Sequence, residues 1–236
     1  MIEFAGHHFT EESVSANWPP TKPRVNEVFS ALGRSMSVYT PILESVQTAS
    51  DSVSHCAGTV YLLKVLHEGL QEGGTISGTL GSAECCRKLA FSYTDRRIHL
   101  ISIGEDCGVP DMTLQLAARL PQVIAAVQES ALHTHAVSID EEHAFLLLAL
   151  GLYFSAGVPS VPTFEKIVPY FSEQGTIRAS IGSVINLLKQ GLTVSQSLER
   201  SQLLPPQITS HISKGERRGE LETTLTQLAN LSVWPV

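Results

Sequence analysis

Two glutamates sit in the same setting 111 residues apart. Ile101 to Gly108 reads "ISIGEDCG" and Ile212 to Gly219 reads "ISKGERRG", so Glu105 and Glu216 each stand in a Gly-Glu-x-x-Gly motif. A carboxylate in that position has three uses. It can pair with an arginine, accept backbone N–H bonds, or supply oxygens to a hard cation such as calcium. Asp106 gives the first copy a second acid, whereas Arg217 and Arg218 give the second copy two cations. A cation site therefore fits the first copy better, although two acids are few without carbonyl and water ligands. An arginine of one copy can also meet Glu105 or Asp106 of the other, since homologous domains often pair through the same face. The glycines have a simpler reading. Gly108 and Gly219 suit a left-handed helix end, which carries no penalty without a Cβ, and the next helix begins at once. Gly104 and Gly215 lie four residues earlier on the same helix face, where a small residue permits close packing. Together they describe a tight helix–helix corner.

Other reactive residues form no such pattern. The four cysteines, Cys56, Cys85, Cys86 and Cys107, all fall in the first half with no CxxC spacing. A disulfide framework would not leave the second half unstapled, so reduced thiols in a cytoplasmic setting are expected. The nine histidines are scattered. His133 and His135 are two apart, which on a helix splits them between faces, so they read as solvated linker residues. No phosphate-cradling G-x-x-x-x-G-K-[ST], zinc-binding H-E-x-x-H or nucleophile-bearing G-x-S-x-G is present. The chain is read as a non-enzyme with no cofactor and no resident metal. Its net charge of -7, with only short basic clusters flanked by acids, argues against a nucleic-acid groove.

The elements that must hold these residues come in two copies. "LQEGGTISGTL" (Leu70 to Leu80) aligns with "LKQGLTVSQSL" (Leu188 to Leu198) 118 residues later, and the same offset sets Phe29 and Leu32 over Leu147 and Leu150. The motif copies are 111 apart, so the first repeat carries about seven extra residues, placed at "GSAECCRK". Strand signals are almost absent and helix signals dense. The 138–141 stretch and Thr193 with Gln196 read as capping boxes. Thr40-Pro41 and Val158-Pro159 read as helix starts with proline at the first helical position. The most apolar run, Ala144 to Val158, is shorter than the roughly 20 residues of a spanning helix and reads as a core helix. No basic and apolar leader opens the chain. The expected architecture is all-α, two tandem helical bundles of about six helices each. It divides as an irregular tail at 1–22, a diverged copy at 23–131, a hinge at 132–137 and a second copy at 138–232. In the tail, Phe9 and Trp18 are possible anchors.

The motif order in the second copy carries a resemblance. "SAGVP" ends an apolar helix, "LLKQGLTVSQSLE" follows, and "LLPPQITSHISKGERRGELETTLTQLAN" closes the series. This resembles the type II secretion F domain, the cytoplasmic helical domain of the inner-membrane platform protein of type II secretion and type IV pilus machines. Val194, Ser195 and Leu198 fill its Leu-Ser-x-x-Leu positions, and Gly215, Glu216 and Gly219 its closing motif, with Lys214 where alanine is usual. The first copy is similar but worn: Tyr39 replaces a glycine, while Gly73, Ser77, Leu80, Gly104, Glu105 and Gly108 still match. Family platform proteins follow each domain with transmembrane helices, whereas only "ALHTHAVSID" follows the first copy here. The resemblance implies a scaffold, and the departure from the family in transmembrane helices implies one without membrane insertion, cytoplasmic or peripheral to the inner membrane. It would dock onto the secretion or pilus ATPase and platform components, or onto itself as a homodimer or intrachain pseudo-dimer. The expected contact residues are Glu105, Asp106, Glu216, Arg217 and Arg218. A rival expectation is a regulator that binds a small molecule or metal between the repeats.

Overall fold

A computed structural model of the chain describes residues 2–4, 7–9, 24–53, 56–82 and 95–231. The fold is all-α apart from a short N-terminal hairpin. In that hairpin β1 (Ile2–Phe4) pairs antiparallel with β2 (His7–Phe9), Ile2 opposite Phe9. The hairpin corrects the reading of residues 1–22 as wholly irregular. Apolar Ile2, Phe4 and Phe9 are residue types that suit strands. Trp18, Cys85, Cys86 and the part of "GSAECCRK" after Ser82 lie outside the described residues.

Contacts divide the chain into two compact units, residues 1–120 and 121–235. The first holds α1 (Val25–Met36), α2 (Ile42–Ser52), α3 (Ala57–Gln71), α4 (Ile76–Leu80), α5 (Arg96–Cys107) and α6 (Pro110–Ala118). Helix α7 (Leu120–His135) opens the second. There follow α8 (Glu141–Ser155), α9 (Ser160–Ile167), a 3-10 turn at Val168–Tyr170, α10 (Thr176–Lys189), α11 (Val194–Ser201), α12 (Pro206–Arg218) and α13 (Leu221–Leu228). Residues 132–135, given to a hinge above, form the last turn of α7. Ala136 then leaves the helix at φ 51°.

Among the described residues, helices α1 to α6 and α8 to α13 share one packing order. Each helix packs on its sequence neighbour, and the first closes on the last, α1 on α6 and α8 on α13. One glycine in each first helix admits that closing helix. A Cβ at Gly33 would stand 2.7 Å from the Asp111 carbonyl oxygen, and one at Gly151 would stand 2.6 Å from the Ala229 Cβ. The sequence pattern did not flag this pair, although the 118-residue offset joins them. Phe29, Leu32, Leu147 and Leu150 are all buried, as their aligned positions require. In α8 every residue from Ala144 to Tyr153 is buried. This apolar run is therefore a core helix, and each large side chain in it contributes on the order of 2 kcal/mol of burial. Among the described residues no helix is long and apolar enough to cross a membrane.

Several expected helix ends shift by a residue or two. The N-cap of α8 is Asp140, whose side chain accepts from the His143 N–H, not Ser138. Asp140 and its three-residue reach to His143 satisfy a first-turn donor that Ser138, two residues further out, is too distant to meet. Pro41 and Pro159 are the N-caps of α2 and α9, extended at ψ 144° and 152°, rather than their first helical residues. The Thr193–Gln196 capping box forms in full.

Candidate functional site

The short helices α4 and α11 pose an accounting problem. A helix leaves its first N–H groups without intrahelical partners, and each must find an acceptor when half-buried. Thr75 and Thr193 serve the third position, their hydroxyls accepting from Gly78 N–H at 3.0 Å and Gln196 N–H at 3.3 Å. The first two positions are served from another helix. Glu216, in the last turn of α12, accepts from Val194 N–H at 2.8 Å with one carboxylate oxygen. Its other oxygen accepts from Ser195 N–H at 3.1 Å and from the Ser195 hydroxyl at 2.5 Å. Glu105, in the last turn of α5, does the same to α4. It accepts from Ile76 N–H at 2.5 Å, Ser77 N–H at 3.2 Å and the Ser77 hydroxyl. Two repeats with little sequence identity thus hold one geometry.

The electrostatics favour an ionised carboxylate at this place. The positive end of a helix macrodipole faces it, as in any anion site at a helix N-terminus. Burial opposes the charge on Glu216, but hydrogen bonds from Ser195 and Thr193 and from two backbone N–H groups outweigh it and lower its pKa. Three donors occupy both oxygens of each carboxylate, so calcium at Glu105 or Glu216 would have to compete with the clamp. Among the described residues, no group of three or more metal-ligating side chains is assembled.

The glycines set the corner's geometry. Gly108 and Gly219 end α5 and α12 at φ 75°, in the left-handed region. In both copies the helix closes with a paired 6→1 and 5→2 bond set: Val109 N–H to Gly104 O at 2.8 Å, Glu220 N–H to Gly215 O at 2.9 Å. Gly104 and Gly215 are where α5 and α12 meet the next helix. A Cβ on Gly104 would lie 1.7 Å from Thr113 Oγ1, and one on Gly215 would lie 1.9 Å from Thr224 Oγ1. The first glycine lets the helices touch, the glutamate pins the neighbouring short helix, and the last glycine turns the chain. The two threonines were not singled out by the sequence, though their shared 111-residue offset marks them.

The remaining expected contact residues are on the surface. Asp106 is exposed at the first unit's corner, and Arg217 and Arg218 at the second's. Arg217 donates through Nε to the Ser213 carbonyl at 3.3 Å, and Arg218 lies 4.0 Å from Glu220. His133 is exposed, but His135 is half-buried, and its ring centroid stands 4.6 Å from that of His211. Its reading as a solvated linker residue is corrected by that contact, which joins residues far apart in sequence. Cys56 and Cys107 are half-buried, the Cys56 thiol 3.1 Å from the Thr59 hydroxyl.

Among the described residues, the corner, the closing helix pair and the clamp recur in both halves of the chain. Residues 146–232 match the family described as "Type II secretion system (T2SS), protein F". The match falls in the second half of the chain, where the motif resemblance is fullest. No curated protein matches the chain.

Proposed function

We propose that the chain is a non-enzymatic docking protein of a secretion or pilus-type assembly, built on two platform-type domains. The observation that carries this reading is the family match over residues 146–232, together with the same glutamate clamp in residues 76–105. A domain spent on rigid, internally braced corners suits the transmission of position between partners. Glu105 and Glu216 serve docking from inside, by fixing the corner, while Asp106, Arg217 and Arg218 face a partner from its surface. The partners fitting this role are the assembly's ATPase and its inner-membrane platform components, with the chain working at the cytoplasmic side.

Surface residues are the right ones to alter in a test, because replacing the glutamates would unseat the corner itself. The whole chain would serve as bait in lysate, beside an Asp106→Lys/Arg217→Glu/Arg218→Glu variant with an unchanged helical spectrum. Capture of a secretion or pilus ATPase or platform component by the wild type, and its loss in the variant, is the expected result. Capture of no such component by either form overturns the reading.

A further inference from the structure

Helix α12 carries His211, Lys214 and Arg218 at i, i+3 and i+7, a spacing that puts them along one face over about 10 Å. Lys214 is exposed, and the Arg218 side chain is 71% exposed. Beside this stripe the last turn of α7 brings His135, its ring tilted 55° to that of His211. Leu132, one turn earlier on the same side of α7, is one of three large apolar side chains exposed among the described residues, at 52%. The charges that act on the pair are His211 on His135, and Lys214 and Arg218 on His211, all from α12 and all of one sign when ionised. Glu220, in the turn after α12, reaches Arg218 only at 4.0 Å. In a chain of net charge -7, this is a local surplus of positive charge next to an apolar side chain.

We infer that Leu132 and His135 of α7 and His211, Lys214 and Arg218 of α12 form a docking surface for an acidic protein segment with an apolar anchor, and that docking takes up protons. Carboxylates fit the cation stripe, and an apolar side chain covers Leu132. A bare anion would leave Leu132 unmatched, and an anionic bilayer would meet the repulsion of the chain's whole negative charge. The proton coupling follows from the same cluster. Burial holds both imidazoles below the ordinary histidine value of 6.5, helped for His135 by His211 and for His211 by Lys214 and Arg218. Carboxylates brought alongside offset that repulsion and favour the imidazolium forms. By linkage, whatever raises proton affinity when bound binds more tightly as pH falls.

The surface gives the docking role a partner chemistry. Its test uses purified chain and a defined peptide, so a negative result leaves the capture experiment standing. Anisotropy would follow a fluorescein-labelled (Asp-Asp-Leu)3 peptide, its (Asn-Asn-Leu)3 counterpart, and vesicles containing phosphatidylglycerol, at pH 7.5 and 5.5. The acidic peptide alone should bind, about fivefold or more tightly at pH 5.5. Lys214→Glu/Arg218→Glu should weaken it about tenfold or more. Arg34→Glu/Arg119→Glu, the same charge change in the first unit, should not. His135→Gln/His211→Gln should keep binding but lose the pH dependence. Wild-type binding that ignores pH, equal weakening by both charge reversals, or tighter binding to vesicles than to peptide would each overturn the inference.

Discussion

At Gly215 the space for a side chain is already filled by Thr224, whose Oγ1 would lie 1.9 Å from an added Cβ. Gly215→Ala must therefore push α12 away from α13 or force Thr224 out of its rotamer. Overpacking of this kind costs about 1–3 kcal/mol, and urea unfolding of the whole chain should show it as a lower midpoint. Adding Thr224→Ala removes the clashing Oγ1 and Cγ2 but leaves a Cβ at 2.8 Å. The double variant should then recover part of the loss, and additive losses would mean that the two residues do not meet. The same scale shows where the first repeat has worn. Tyr39 occupies the place of Gly157, and both sit in the left-handed region, at φ 62° and 71°. A tyrosine there is strained by about 1–3 kcal/mol, and its side chain, 97% exposed, gains no burial in return.

At the scale of elements, α4 and α11 are too short to be stable alone, at five and eight residues. Tertiary bonds from the following corner hold them, so α11 should respond sharply to the loss of one carboxylate charge. In Glu216→Gln one oxygen is replaced by an NH2 that meets donors where an acceptor is needed. With solvent reaching the site, a loss of about 1–2 kcal/mol is expected. The pH dependence has a definite sign. The Glu216 pKa is lowered by folding, so its contribution is full above the ordinary value of 4.5 and lost as pH falls through the folded value. The gap in stability between wild type and Glu216→Gln should narrow below about pH 4.5, measured by urea titration across pH. A gap that stays constant would mean that the carboxylate's charge plays no part in the clamp.

At the scale of the molecule, residues 121–235 form a compact unit. Its core contains Phe145, Phe164, Ile181, Leu198, Ile212 and Leu225, each fully buried. A fragment of these residues should fold alone, with a helical circular dichroism spectrum and a cooperative thermal transition. A non-cooperative melt would show that the unit depends on the rest of the chain. Its boundary within the described chain falls at the start of α7, whereas the repeat spacing had put the break after residue 131. The difference has a physical cause. Periodicity shows where one repeat ends and the next begins, but the assignment of a connecting helix depends on which side chains it buries against.

The helical character, the core positions Phe29, Leu32, Leu147 and Leu150, and the turning glycines were legible in the residues alone. All of these rest on local rules: the 3.6-residue period, the freedom of glycine at positive φ, and a spacing that survives when identity fades. The partners of Glu105 and Glu216 were not legible as such. Pairing, N–H acceptance and cation binding are all chemistry that a carboxylate permits, and the choice depends on which backbone atoms arrive at 2.5–3.2 Å from 21 to 29 residues away. Folding made that choice by bringing the starts of α4 and α11 against α5 and α12. It also set His135 beside His211, because ring contact between distant helices is a property of packing and leaves no period in the chain.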